Sequence, residues 1–311
     1  MKKIKTEIAH NIFLYENSKR IAFSKKYSLL KKPIIYLRQE LREISNFFDP
    51  RLKYKRSHAF FNHIVARHQS VLRRKLGSSN PKLQEQKIIN LQQAIKQLNG
   101  VIIRPGHVFS LWKILKKPSY TAGYVDGMLL ANGKVIVGVG GGLCQLSNFL
   151  YWIFLHAPVE VIERHHHSKD IFPDSGRTLP FGSGATIFYN YVDLKVKNLS
   201  SQPLQLKIWL TDNHLKGQIL STQPPKEKFH VFEKNHFFVK RDDKYFRFNE
   251  IYRETKVQGS INKVEKVATN FAPVLYELTP TYIPSNNFQV LDFSKRKVTK
   301  LPRSGVLTSI N

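Results

Sequence analysis

The stretch Val135–Ser147, which reads VIVGVGGGLCQLS, constrains the fold of this chain more than any other stretch. It contains the only cysteine among 311 residues, Cys144, shortly after three consecutive glycines. An apolar run follows from Phe149 to His156, so the pattern predicts a strand, a glycine turn and a helix whose first turn carries Cys144. Unpaired N–H groups and partial positive charge at a helix N-terminus favour a thiolate. The sequence therefore predicts a reactive cysteine with a lowered pKa.

Blander interpretations of the same stretch remain open. A lone cysteine is commonly a small apolar residue of the core, and three glycines can simply form a tight turn. No Lys-Ser or Lys-Thr pair follows the glycines, which argues against a phosphate-binding loop.

A second cluster of reactive side chains, Arg164-His165-His166-His167-Ser168, follows a predicted strand at Val159–Glu163. Alternate side chains share a face in an extended segment, so His165 and His167 are predicted to point one way and His166 the other. A cysteine nucleophile needs such a base, and often a further polar group that orients the base.

The candidates for that orienting group are Asp170, Asp174 and Asp193. Gln145 or backbone N–H groups beside Cys144 are candidates for an oxyanion hole, and the chemistry would be acyl transfer through a thioester. Zinc binding and a purely structural role for the histidines are alternatives. Adjacent residues on a strand point to opposite faces, so three neighbouring histidines rarely bind one ion and we expect no metal site. We also expect no cofactor.

The charge balance is strongly basic, with 50 Lys and Arg against 22 Asp and Glu and a formal net charge of +28. Such a chain attracts polyanions, including nucleic acid, anionic lipid head groups and acidic wall polymers. The basic residues are spread along the whole chain, so no specific nucleic-acid module is expected. The first 80 residues carry 19 Lys and Arg against 5 Asp and Glu. This region is predicted to be a solvated helical layer or, alternatively, a peripheral contact with an anionic membrane.

The predicted location is cytoplasmic, with membrane-peripheral attachment as an option. The start MKKIKTEIAHNIF lacks the uninterrupted apolar core of a secretory signal. Residues 135–162 are apolar, but Gln145, Asn148, Pro158 and several glycines interrupt them, which disfavours a membrane span. A single cysteine allows no intramolecular disulfide.

The predicted fold class is α+β, with the glycine-rich turn leading into a cysteine-bearing helix packed on a mainly antiparallel sheet. Lys82–Leu98 has the spacing of an amphipathic helix. Short strand-like segments, Thr186–Tyr191 among them, recur from residue 159 onwards, and Asn132-Gly133 predicts a hairpin turn. We divide the chain into a basic helical region (1–80), a core domain (81–215), a β-rich extension (216–280) and a flexible tail (281–311).

The residues between about 87 and 210 resemble the VanW family. The most specific match is Gly140-Gly141-Gly142-Leu143-Cys144-Gln145-Leu146-Ser147, and others are Asn99-Gly100, Pro105-Gly106, Glu163-Arg164-His165, His167-Ser168, Ala185-Thr186 and Asp193. Two positions depart from the pattern of the exported members: Gly184 stands where they usually carry aspartate, and His166 where they often carry proline.

The resemblance implies a link to the cell envelope, glycopeptide resistance and peptidoglycan. It further implies an L,D-transpeptidase-like activity in which Cys144 attacks the carbonyl of a peptidoglycan stem peptide or precursor. His167 would be the base, with His165 and Asp193 in support. The matched positions expected to bind substrate are Gly140, Gly141, Gly142, Gln145, Ser147, Arg164 and Ser168. The alternatives are a non-catalytic accessory or binding protein of vancomycin resistance with a structural cysteine, and a binder driven by charge alone.

Overall fold

A computed structural model describes residues 1–17, 31–73, 81–131, 134–171, 178–278 and 289–294. The described α-helices are α1 (Lys2–Asn17), α2 (Lys31–Phe48), α3 (Pro81–Leu98), α4 (Leu111–Leu115) and α5 (Leu143–Leu155). Two short 3-10 turns occur at Pro50–Leu52 and Tyr120–Ala122.

Fourteen strands are described, and most of their pairings are antiparallel. They are β1 (Lys55–Arg56), β2 (His63–Val71), β3 (Val101–Ile103), β4 (Val108–Ser110), β5 (Asp126–Ala131), β6 (Lys134–Val139), β7 (Val159–Glu163), β8 (Lys195–Asn198), β9 (Leu204–Leu210), β10 (His214–Ser221), β11 (Glu227–Arg241), β12 (Lys244–Val257), β13 (Ser260–Pro273) and β14 (Gln289–Asp292). They form sheets ordered β1-β3-β9-β10-β2, β13-β12-β11-β14, β4-β8-β7 and β5-β6. The parallel pair is β11 with β14.

The main hydrophobic core surrounds α5, which is apolar on nearly every side. All residues from Phe149 to Leu155 are buried, as expected for a helix without a polar stripe. Phe149 stacks against His68 of β2, with ring centroids 5.4 Å apart, and Phe154 packs against Phe109 of β4 at 5.1 Å. The helix is therefore enclosed between two sheets, and its N-terminus emerges where the candidate site lies.

A second, smaller core joins the N-terminal helix to the C-terminal sheet. Ile8 and Ile12 of α1 are fully buried against Phe237, Phe246 and Phe248. Glu7 of α1 accepts hydrogen bonds from Lys266 on β13. The two helices of the basic N-terminal region therefore have different surroundings. Helix α1 packs on the C-terminal sheet, whereas α2 is not part of this second core.

The α+β fold class is confirmed, and the amphipathic spacing at residues 82–98 lies within the helix α3. The first 80 residues, predicted to be helical, contain α1 and α2 but also the strands β1 and β2. The segment Thr186–Tyr191, however, is a loop held by isolated bridges and not a strand. The β5–β6 pairing is that of a hairpin, and its turn residues Asn132 and Gly133 lie outside the described residues. No helix in the described ranges is long and apolar enough to cross a membrane.

The five-stranded sheet joins strands from three of the four segments into which the sequence was divided. Strand β2 pairs with β10, and β10 pairs with β9, so hydrogen bonds cross the divisions at residues 80 and 215. Within the expected tail, β14 is ordered against β11. The rest of the tail, apart from residues 289–294, lies outside the described residues.

Candidate active site around Cys144

The side chain of Asn90 on α3 forms hydrogen bonds that hold the glycine turn in place. The Asn90 amide nitrogen donates to the carbonyl oxygens of Val125 (3.0 Å) and Gly141 (2.8 Å), and its oxygen accepts from the Val125 N–H at 2.8 Å. Gly141 also packs closely against the backbone of Gly127. A Cβ on Gly141 would lie 2.0 Å from the carbonyl carbon of Gly127. No side chain fits at this crossing, which explains a glycine at position 141.

Gly142 is the residue from which α5 begins. Its φ of +93° lies in the left-handed region, which glycine enters at little cost. A Cβ there would lie 2.2 Å from Cγ of Lys87, a nearly buried lysine whose ammonium donates to Gln84 and to the Leu72 carbonyl. The helix starts at Leu143, so Cys144 is its second residue.

Burial raises the pKa of the Cys144 thiol above its ordinary value. The side chain keeps some accessible surface, yet protein atoms surround the sulfur closely. The backbone N–H of Ile187 faces the sulfur and acts in the opposite direction. The direction is therefore opposite to the lowered pKa expected from the helix N-terminus, because burial disfavours the charged thiolate.

Both ring nitrogens of His167 have side-chain partners, Asn148 of α5 and Thr186. Its Nε2 lies 3.3 Å from Oδ1 of Asn148, and its Nδ1 lies 3.0 Å from the hydroxyl of Thr186. Asn148 stands one helical turn after Cys144, so the two side chains share a face of α5. The structure thus brings His167 to the same end of the helix as Cys144.

Residues 184–187 run along the first turns of α5 and connect the two groups. Ala185 donates its N–H to Asn148 Oδ1 at 2.8 Å, and its carbonyl accepts from the Ser147 hydroxyl at 2.6 Å. A Cβ on Gly184 would lie 2.5 Å from Asn148 Oδ1 and 3.3 Å from Cδ2 of His167. The departure from the family pattern at position 184 therefore lies directly against the Asn148–His167 pair.

His165 has a different set of partners from His167. Its Nε2 lies 3.3 Å from Glu163, a carboxylate that also accepts hydrogen bonds from Arg42 and from the Asp193 backbone. Burial works to raise the pKa of Glu163, but the hydrogen bonds from Arg42 and Asp193 outweigh it and the pKa is lowered. Half of the His165 side chain is exposed. The two histidines expected on one face are therefore oriented by different groups.

The Asp193 carboxylate accepts hydrogen bonds at the N-terminus of α4. It is not a partner of His165 or of His167 among the described contacts. Among the described residues it accepts from the Ser110 hydroxyl at 2.6 Å and from the backbone N–H groups of Trp112 and Leu194. Burial raises the pKa of Asp193, although these hydrogen bonds act to lower it. Asp170 is likewise occupied, in a buried ion pair with Arg247 at 3.2 Å. Asp174 lies outside the described residues.

Several residues expected to bind substrate hold the protein together in the structure. The Gln145 amide donates both of its hydrogens, to the Ser70 hydroxyl (3.1 Å) and the Val71 carbonyl (2.8 Å), so it has none left for an oxyanion. Ser147 is fully buried and tied to Ala185. Arg164 donates to the carbonyls of Gly182 and Gly184.

Ser168 is exposed to solvent. Sequence reasoning missed Asn148 and Thr186, which are the residues that position His167. The spacing of four between Cys144 and Asn148 in a predicted helix was the available signal. No group of three or more His, Cys, Asp or Glu side chains that could hold a metal occurs in the described part of the chain.

Comparison with known proteins gives the following matches. Residues 86–220 match the family model described as "VanW like protein". The chain is 32% identical over 197 residues to "Vancomycin B-type resistance protein VanW" of Enterococcus faecalis (strain ATCC 700802 / V583), a match that covers 63% of this chain and 72% of that protein. It is 24% identical over 118 residues to "Uncharacterized protein YoaR" of Bacillus subtilis (strain 168), covering 38% of this chain and 37% of that protein. No solved structure matches.

Proposed function

This chain belongs to the VanW family, and we propose that it acts in glycopeptide resistance as a cysteine-dependent acyltransferase on peptidoglycan stem peptides. The link to vancomycin resistance comes from the name of the Enterococcus faecalis relative. The observation that carries the enzymatic proposal is that His167 contacts Thr186 and Asn148, and Asn148 stands one helical turn after Cys144 on the same face of α5. A nucleophile, a base and groups that orient the base are the parts that covalent acyl transfer requires.

The raised pKa of Cys144 means that the thiol is protonated at neutral pH and needs a base during attack. His167 Nδ1 is the proton acceptor in this proposal, and the Thr186 hydroxyl at 3.0 Å is the relay. As Cys144 attacks, its proton passes to the Thr186 oxygen while the Thr186 hydroxyl passes its own proton to Nδ1. The Ile187 N–H faces the sulfur and stabilises the charge that develops there.

The reaction then proceeds through a thioester. The Cys144 sulfur bonds to the carbonyl carbon of the donor peptide, the peptide C–N bond breaks, and the leaving amine takes the proton held by His167. An acceptor amine attacks the thioester and gives one proton to His167, the C–S bond breaks, and the same proton passes through Thr186 to the departing sulfur, which restores the thiol and the neutral imidazole. The N–H groups of Leu143 and Gln145 already donate to Gly140 and Gly142. We therefore assign the Cys144 N–H as the backbone donor to the oxyanion.

The test is acylation of the intact protein by a synthetic stem tetrapeptide, followed by mass spectrometry. We expect one adduct with the mass of the peptide lacking its terminal residue, mapped to Cys144. The adduct should be absent in Cys144→Ser and formed at least about tenfold more slowly in His167→Asn, since a positioned base contributes about 10²–10⁴-fold. His165→Asn is the matched control, because its ring contacts Glu163 instead. Equal rates in the two histidine variants would contradict the assignment of the base.

A second function is favoured by the raised pKa and by the structural roles of Gln145, Ser147 and Arg164. In this alternative the protein binds the stem peptide without chemistry and Cys144 is a packing residue. Calorimetric titration of Cys144→Ala with the same tetrapeptide separates the two functions. Binding without any adduct in the unmodified protein would favour the accessory role.

A further inference from the structure

Helix α2 is attached to the rest of the protein through its polar side. Gln39 donates to the Tyr189 carbonyl at 2.7 Å, Arg42 donates to both carboxylate oxygens of Glu163 at 2.7 and 2.9 Å, and Asn46 accepts from Lys195 at 2.9 Å. A surface helix of a globular protein normally turns its apolar side to the core. Helix α2 has the reverse orientation.

The opposite side of this helix is a continuous apolar surface exposed to solvent. We define the α2 apolar face as Leu37, Leu41, Ile44 and Phe48, which are 53–75% exposed. Their spacing of four, three and four residues places them within an arc of about 60° around the helix axis. Gln39, Arg42 and Asn46 lie on the other half of the helix circumference. Contiguous exposed apolar surface of this kind marks an interaction site.

A cleft lined by positive charge opens at the C-terminal end of the same face. Phe47, 71% exposed, borders both the apolar face and this cavity of about 420 Å³. We define the basic cleft by its cations and its second aromatic residue: Lys53, Tyr54, Lys55, Arg104 and Lys113.

Three cations of the basic cleft have no ion-pair partner among the residues that the structure describes. The acid of this cleft, Asp49, accepts two hydrogen bonds from the Arg51 side chain. Lys53, Lys55 and Arg104 form no ion pair with any described residue. Desolvation and the nearby charge of Lys116 lower the pKa of Lys113, although the charge of Glu43 acts in the opposite direction.

We propose that the α2 apolar face and the basic cleft together bind the surface of an anionic phospholipid bilayer. Helix α2 lies in the plane of the membrane interface, with its apolar face in the boundary between head groups and acyl chains and the basic cleft on lipid phosphates. An amphipathic helix bordered by cations is the arrangement that such binding uses. Charge complementarity favours this occupant over a second copy of the chain, because two molecules of formal charge +28 repel each other.

The test is co-sedimentation of the full chain with vesicles of phosphatidylcholine alone and of phosphatidylcholine with 30 mol% phosphatidylglycerol (~30% anionic lipid, enough for a strong surface potential). We expect binding to the anionic vesicles that falls steeply as salt is raised, because the surface attraction is screened. Leu41→Glu should weaken this binding about tenfold or more, since it places a charge in the inserted face. Lys53→Glu with Lys55→Glu should weaken it about fivefold or more for each cation removed.

Two variants serve as matched controls. Ile261→Glu changes an apolar residue of similar exposure on β13, and Lys228→Glu reverses an exposed charge on β11. Both should bind vesicles as the unmodified chain does. Circular dichroism and urea unfolding of all variants exclude a folding defect as the cause of weaker binding.

Three outcomes would overturn the proposal. The first is no binding to anionic vesicles, and the second is binding that Leu41→Glu leaves unchanged. The third is a concentration-dependent dimer that Leu41→Glu dissociates, which would assign the face to a second copy. The inference is independent of the chemistry at Cys144, so Cys144→Ala should bind vesicles normally even if the acyltransferase proposal fails.

Discussion

The amide oxygen of Asn148 lies 3.3 Å from Nε2 of His167. The Asn148 atom is identified as oxygen because the backbone N–H of Ala185, which can only donate, points at it from 2.8 Å. Nε2 of the neutral ring must therefore carry the proton, and Nδ1 is left as the acceptor. The acceptor nitrogen faces Thr186, which is why the proposed mechanism routes the proton of Cys144 through this hydroxyl.

Replacing Asn148 by aspartate should raise the pKa of His167 by about one to two units, because a carboxylate beside the ring stabilises the imidazolium. NMR titration of the histidine ring protons measures this shift. His165, which contacts Glu163, provides an internal control in the same spectra. An unchanged pKa of His167 would show that Asn148 does not contact the ring in solution.

Thr186→Val should slow alkylation of Cys144 by iodoacetamide at pH 7 by about tenfold, since it removes the hydroxyl that is the relay to Nδ1 in the proposed mechanism. Thr186→Ser keeps the hydroxyl and should restore most of the rate. The matched control is Thr211→Val, which alters an exposed threonine at the β9–β10 turn. A normal rate in Thr186→Val would mean that the proton reaches His167 by another route.

The raised pKa of Cys144 should make the folded protein less stable at alkaline pH. The unfolded chain loses its thiol proton near pH 8.5 while the folded chain still retains it. Stability therefore falls as pH rises above that value, by at most about 1.4 kcal/mol per pH unit. Urea unfolding between pH 7 and 10 measures this loss, and the loss should be smaller in Cys144→Ala. An equal loss of stability in the unmodified protein and in Cys144→Ala would show that the thiol does not cause the pH dependence.

Gly142→Ala should destabilise the protein more than Gly106→Ala. Both glycines have positive φ, +93° and +73°, so each substitution strains the backbone by about 1–2 kcal/mol. A Cβ at Gly106 meets nothing within 4 Å, whereas one at Gly142 lies 2.2 Å from Cγ of the buried Lys87. The difference in unfolding free energy between the two variants isolates the Lys87 contact. Equal losses would show that the lysine moves aside freely.

Local sequence patterns predicted the elements of this fold better than they predicted the partners of individual side chains. The apolar run after Cys144 is long enough to identify α5, and the spacing of Leu91, Ala94 and Leu98 identifies the buried side of α3. The periodicity of α2 is equally clear, but periodicity does not say which side of a helix is attached. The polar contacts of Gln39 and Arg42 come from residues more than 100 positions away.

In the candidate site too, local motifs identify some residues, whereas the roles of others depend on contacts between distant segments. Cys144 and His167 are recognisable by residue type and motif, and both reach the same end of α5. Asp193 was expected there because it is a carboxylate in the matched motif, yet its hydrogen bonds start α4. Asn148 and Thr186 were missed because their importance depends on how residues 184–187 lie along the helix, which no local pattern encodes.

The pairing of β2 with β10 has a consequence for the order in which this chain is able to fold during synthesis. His63 pairs with Ser221, so the ribosome adds about half of the chain between these two residues. At about 5–20 residues per second, the wait is roughly eight to thirty seconds. Helix α5 leaves the exit tunnel within that interval, before the strand that completes its cover exists. Until residue 221 has emerged, the most apolar helix of the nascent chain lacks part of its cover, and exposed apolar surface of this kind is prone to aggregation.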